Sequence, residues 1–158
     1  MKSARECPGA GFFIGADMQI ILTGPNDAPL FENLHEDVFD APPQPDLLHS
    51  YLADPRLHMA VAVFDGQVVG MITGMHYHHP DKPPQMWINE LGVAEPFRRR
   101  GIATDLIQRL SEHALTLACT EIWVVADPTD MAEGFYTSLG WERTGQRLAM
   151  FSAGLASP

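Results

Sequence analysis

The 158 residues are 46% hydrophobic and 19% charged, a balance that suits one ordinary globular core and excludes a disordered or fibrous chain. No apolar run approaches the roughly 20 residues that span a bilayer, and a net charge of -10 argues against nucleic-acid binding, which needs clustered Lys and Arg. Cys7 and Cys119 are the only cysteines, so a disulfide framework is not expected and the cytoplasm is the default compartment.

Residues 1–17 read as a loose N-terminal leader, because Lys2 and Arg5 are followed by Pro8 and scattered glycines rather than by the apolar stretch of a secretory signal. Residues 18–158 are expected to form a single domain. Between Arg5 and Arg56 there is no Lys or Arg, while Asp17, Asp27, Glu32, Glu36, Asp37, Asp40, Asp46 and Asp54 all fall there. Such a surface serves either solubility or the attraction of a polycation.

From Met18, Gln19-Ile20-Ile21-Leu22 suits a short strand ended by Gly24-Pro25. Leu30, Phe31, Leu34, Val38 and Phe39 recur at helical spacing, and a second short helix is expected from Asp46, as N-cap, to about Leu52. Met59 to Phe64 and Gln67 to Met75 are β-rich runs separated by Asp65-Gly66, a strong hairpin signal. After a loop over Pro80 to Pro84, Met86 to Val93 reads as a strand. Simple alternation puts Met86, Ile88 and Glu90 on one face and Trp87, Asn89 and Leu91 on the other, so a carboxylate interrupts an apolar face.

Ile102, Leu106, Leu110, Ala114 and Leu117 mark one stripe of an amphipathic helix. A buried strand over Glu121 to Ala126, a helix from Met131 to Leu139 closed by Gly140, and terminal strands from Trp141 complete a mixed α/β pattern.

The segment with the most chemistry is Leu91-Gly92-Val93-Ala94-Glu95-Pro96-Phe97-Arg98-Arg99-Arg100-Gly101-Ile102-Ala103, a strand that runs through a turn into a helix. Free backbone N–H groups and the positive end of the dipole make a helix start a site for a pyrophosphate. Gly101 and Ala103 let phosphate oxygens approach the backbone, and Arg98, Arg99 and Arg100 add charge at the rim.

This segment resembles the first motif of the GNAT acetyltransferase superfamily, Q/R-x-x-G-x-G/A, with Arg98, Gly101 and Ala103 at its fixed positions. Further on, Asp130 to Trp141 resembles the second motif, with Asp130 replacing the usual Asn and Trp141 the usual Phe. The resemblance implies a GNAT fold: a mixed, mostly antiparallel sheet of six or seven strands, helices on both faces and a splayed central strand pair. It also implies acetyl-CoA as donor, with pantetheine along Leu91, Gly92 and Val93 and the diphosphate at Arg98 to Thr104, near Asp130. Tyr136 falls where its hydroxyl can protonate the departing thiolate; a packed aromatic is the alternative. Homodimerisation follows from the resemblance alone.

An ammonium must lose a proton before it attacks a thioester, so a carboxylate at the cleft is required chemistry. Glu90, on the cleft strand, is expected either as that base, with a pKa raised by burial, or as an ammonium binder. From Phe31 to Phe151 the chain is most similar to the gentamicin-type aminoglycoside 3-N-acetyltransferases, through Ala60-Val61-Ala62-Val63-Phe64-Asp65, Arg99-Arg100-Gly101-Ile102-Ala103-Thr104, Ala126-Asp127 and Tyr136-Thr137. That subgroup has Asp where Glu90 stands. Asp127, Asp130 and Glu133 are then candidates to bind the ammonium groups of an aminoglycoside, with helix capping as the alternative for Asp130. His76 and His78 share a strand face, but no third ligand accompanies them, so no metal is expected. Three readings stand: an aminoglycoside acetyltransferase, the same chemistry on a protein N-terminus, lysine or polyamine, and a CoA-binding protein without catalysis.

Overall fold

The computed structural model describes residues 12–13, 18–127, 131–144 and 151–154. These fall into two compact units, one up to Val125 and one from Ala126 onward.

The first unit is built on a six-stranded sheet in sequential order: β1 (Phe12–Phe13), β2 (Met18–Leu22), β3 (Leu57–Phe64), β4 (Gln67–Tyr77), β5 (Gln85–Val93) and β6 (Glu121–Val124). The first five strands pair antiparallel and β6 joins β5 in parallel. Strand β1 lies within the stretch read as a leader; residues 1–11 and 14–17 are outside the described residues. The β3–β4 hairpin turns at Asp65 (φ 48) and Gly66 (φ 75), the two positive φ values that a type I′ turn demands.

Helix α2 (Ile102–Thr116) covers one face of this sheet. It buries Ile102, Leu106, Ile107, Leu110 and Ala114, the expected stripe shortened by Leu117, which is the C-cap. Close approach depends on glycine in β4: a Cβ on Gly74 would lie 3.0 Å from Leu110 Cδ2, and one on Gly70 3.4 Å from Ile102 and Leu106. The opposite face carries Met59, Val61, Val63, Val68 and Met71, covered by Leu30, Phe31, Leu34, Val38, Phe39 and Tyr51. Helical segments thus lie on both faces.

The acidic segment departs from expectation. Its apolar residues pack on the sheet, but the helix expected over Leu30 to Phe39 is only a 3-10 turn at Ala28–Glu32. Backbone groups beyond it bond to β4 instead of to a helix: Val68 N–H donates to the Asn33 carbonyl and His35 N–H to the Val68 carbonyl, both at 2.9 Å. Helix α1 (Pro45–Ala53) forms as expected, although Gln44 is its N-cap and Asp46 sits in its first turn, because Pro45 takes the first helical position. Strand β6 stops at Val124 and is half-buried rather than buried, as an edge strand of this unit, with Val125 57% exposed.

In the second unit, helix α3 (Met131–Ser138) ends at Gly140 (φ 78), whose N–H bonds to the Thr137 carbonyl at 3.0 Å. Residues 141–144 and 151–154 carry none of the expected terminal strands, and 145–150 lie outside the described residues.

Candidate active site

Strands β5 and β6 pair from Gln85–Glu121 to Ile88–Val124, and β5 then runs on to Val93 without β6 beside it. The splay expected of these two strands would fall at this point, where β6 itself ends. At the same point β5 carries a bulge: Gly74 faces Ile88, Thr73 faces Glu90, and Asn89 is the extra residue. A bulge reverses the alternation that follows it. Ile88 therefore points under α2 and is 1% exposed, whereas Glu90 lies on the opposite face with Thr73 and Gly92. The shared apolar face expected for Met86, Ile88 and Glu90 is corrected by this single residue.

Around Glu90 the face is acidic and tightly built. Burial raises the Glu90 pKa first, and the negative charge of Asp40 raises it further. Thr73 is buried beside the Tyr51 phenol, yet its Oγ1 makes no hydrogen bond of good geometry. The Tyr51 hydroxyl donates to the His58 carbonyl at 3.0 Å, and burial pushes its pKa up to about 12. A Cβ on Gly92 would come 2.8 Å from the Val38 carbonyl oxygen, so the segment that carries Asp40 rests on bare backbone here. Sequence reading missed Tyr51, Thr73 and Asp40 as neighbours of Glu90. For Tyr51 and Asp40 the only signal was an acidic, aromatic stretch, and Thr73 stood unmarked in the expected strand over Gln67 to Met75.

The end of β5 leads into the helix start. Gly101 is the N-cap of α2 at φ 84 and supplies no side-chain acceptor, so the first-turn N–H groups of Ile102, Ala103 and Thr104 have no cap. Arg98 Nε donates to the Val93 carbonyl at 3.0 Å, Arg99 takes a left-handed φ of 63, and Arg100 lies over the Phe97 ring at 5.3 Å. All three arginines are exposed. Leu91 and Val93 pair with Ile72 and Gly70 on the α2 face. Strand end, turn and helix start are thus contiguous.

In the second unit, Tyr136 is half-buried on α3 and its pKa is raised by burial, which keeps the phenol protonated. Its ring lies 5.3 Å from that of Trp141. The Glu133 carboxylate accepts from Arg143 Nη1 at 3.0 Å, and Asp127 is exposed. Asp130 lies outside the described residues.

His76 does have imidazole partners, but in another arrangement. Its Nδ1 lies 2.7 Å from His58 Nε2, and His58 Nδ1 lies 2.9 Å from His113 Nε2. The nitrogens of His58 point at two different rings, and among the described residues no group of three or more His, Cys, Asp or Glu has the geometry to hold a metal.

Residues 28–141 match the acetyltransferase (GNAT) family, a span that holds the whole strand, turn and helix element and Tyr136. The chain belongs to the GNAT acetyltransferase family. Solved structures share the GNAT fold with it at low identity. An aminoglycoside acetyltransferase, meta-AAC0020, from an uncultured soil metagenomic sample in complex with sisomicin is 21% identical at a TM-score of 0.74, over 88% of this chain and 97% of that one. AAC(6')-Iy in complex with the bisubstrate analogue CoA-S-monomethyl-acetylneamine is 20% identical at a TM-score of 0.73, over 89% and 100%. A transcriptional regulator from Bacillus halodurans C-125 is 19% identical at 0.67, over 84% and 99%. Within the GNAT fold, then, the likeness extends to proteins named for different roles.

Proposed function

We propose that the chain transfers the acetyl group of acetyl-CoA to a primary amine of a polycationic acceptor, an aminoglycoside, with its 3-amino group as the position modified. The observation that carries this reading is Glu90. It is a carboxylate of raised pKa, turned by a bulge onto an acidic face at the point where β5 leaves β6.

A diphosphate fits the helix start on the chemistry of its donors: a glycine N-cap at positive φ, uncapped amides and exposed arginines. Bound there, with its pantetheine along Leu91 to Val93, acetyl-CoA supplies an acyl carbon activated as a thioester. Glu90 accepts the proton of the acceptor's ammonium and so frees the amine lone pair, as the C–N bond forms and the C–S bond breaks. Backbone N–H groups on the open edge of β5 orient the carbonyl. Tyr136, held protonated by burial, gives its proton to the leaving sulfur; the second proton that the nitrogen sheds as the amide forms restores the phenol through solvent, and Glu90 releases its own to solvent, so one proton leaves per turnover. Asp127 and Glu133 assist in ammonium binding within this proposal, Glu133 at the expense of its pair with Arg143. A homodimer and a cytoplasmic setting belong to the same proposal, on the family resemblance and the cysteine content, and sedimentation of the purified chain tests the former.

The test is thiol release from acetyl-CoA with gentamicin, sisomicin, spermidine and a lysine or N-terminal peptide panel, with mass spectrometry to locate the acetyl group. Release with aminoglycosides only, at the 3-amino group, is expected. Release only with peptides or spermidine moves the acceptor class, and acetylation elsewhere on the aminoglycoside removes the regiochemistry. No release with any amine leaves a CoA-binding protein without catalysis.

A further inference from the structure

The ladder that joins β5 to β6 carries aromatic side chains that the transfer chemistry does not use. Trp87 and Trp123 are partners in the parallel register, and their rings stack with centroids 5.9 Å apart and planes 22° apart. Trp123 Nε1 donates to the Tyr77 hydroxyl at 3.1 Å, and that hydroxyl donates to Gln85 Oε1, also at 3.1 Å. Gln85 Nε2 in turn donates to the Glu121 carboxylate. The indoles are thus fixed by a hydrogen-bonded chain as well as by packing.

Which way this aromatic pair faces follows from register. Trp87 pairs with Met75 and Glu90 with Thr73, two positions on the same face of β4, away from α2. Were Asn89 paired in a regular ladder instead of bulged, Trp87 and Glu90, three residues apart, would lie on opposite sides of the sheet. With the bulge, one face presents in order the Glu121 carboxylate, the paired indoles and the Glu90 carboxylate with Asp40 near it. From Gln85 to Glu90 this is on the order of 15 Å of strand. Both indoles are half-buried, and within this unit α1 packs on β3 while α2 packs on the other face.

We propose that this face is the acceptor platform, and that it selects rigid, ring-based polyamines: the reacting amine lies at Glu90 while further ammonium groups lie over Trp87 and Trp123 and toward Glu121. The inference rests on the function proposed above and names the residues that would hold its acceptor. An ammonium gains from the face of an indole as it does from a carboxylate, and alternating the two along one strand rewards an acceptor with several charges over one with a single amine. A rigid acceptor loses least on meeting a surface that is itself held in place.

The experiment compares wild-type protein with Trp87→Leu, Trp123→Leu and the double variant. It measures KM for sisomicin, spermidine and propylamine, KM for acetyl-CoA, and tryptophan fluorescence on titration with each amine. Each single variant is expected to raise the sisomicin KM about tenfold, with the KM for acetyl-CoA unchanged. A saturable fluorescence change with sisomicin, absent with propylamine and lost in the double variant, is expected too. The wild-type titration needs no substitution, so it stands even where a variant fails to fold, and Trp123→Phe offers a milder change that keeps an aromatic ring while it removes the N–H and part of the stacked area. Wild-type protein that acetylates sisomicin while folded variants keep its KM overturns the platform and leaves the proposed function intact. Wild-type protein that acetylates no amine overturns the proposed function. A fluorescence signal that follows protein concentration rather than sisomicin assigns the face to a second copy of the chain and overturns the platform.

Discussion

His58 Nδ1 and His113 Nε2 lie 2.9 Å apart, and this contact ties β3 to the C-terminal half of α2. With His76 on the far side of His58, the chain of imidazoles needs neutral rings, since each neutral ring offers one donor and one acceptor. Burial, and then the charges of His113 and His76, push the His58 pKa from 6.5 down to about 4, with Asp54 acting in the opposite direction. A depressed histidine pKa means stability that is whole above pH 6.5 and is lost as pH falls toward 4. The loss is expected to reach up to about 3 kcal/mol. Tm followed across that window checks it, and His58→Gln, which cannot take the charge, should flatten the slope.

Glu90 is expected to control the acid limb of the rate profile. Its raised pKa means that the carboxylate form needed for proton acceptance disappears at a higher pH than for an ordinary glutamate. Glu90→Gln should lower kcat/KM by roughly a hundredfold or more and abolish that limb. A variant that only raises the acceptor KM, with kcat and pH profile intact, assigns Glu90 to ammonium binding.

Gly92→Ala places a methyl 2.8 Å from the Val38 carbonyl oxygen, a backbone atom that cannot step aside cheaply. The expected cost is about 1–3 kcal/mol, read as a fall in Tm, together with a weaker influence of Asp40 on Glu90. Gly134→Ala is the contrast. Nothing lies within 4 Å of its Cβ position on α3, so it should be neutral or stabilising by up to about 1 kcal/mol.

Tyr136→Phe should lower turnover on the order of a hundredfold, as loss of a general acid does, with acetyl-CoA affinity by calorimetry nearly unchanged. An unaltered rate would remove the hydroxyl from the chemistry.

Elements whose residues announce both their period and their ends were legible in the sequence. Asp65-Gly66 named the hairpin, Ile102 to Ala114 named the helix face, and the Arg98 to Ala103 run named the turn into that helix, because each signal is local. The segment from Leu30 to Phe39 was misread for the opposite reason. Its apolar spacing is real, but the backbone partner that decides its conformation is Val68, more than thirty residues away. Glu90 was found as a candidate and put on the wrong face, since alternation carries no mark of an extra residue. The histidine chain was half seen: His76 stood out in a cluster, while His58 and His113 were hidden in an apolar strand and an amphipathic helix.

Asn89 has one more consequence, for chain length. Because it is the residue that pairs with nothing in β4, its deletion would restore a plain ladder and leave Glu90 and Gly92 on the face of Thr73 and Leu91 toward α2. A gap placed elsewhere between Gln85 and Val93, with the bulge retained, would turn part of the strand inside out. In a chain with this strand pairing, that position is where one residue can be lost with every other side chain keeping its face.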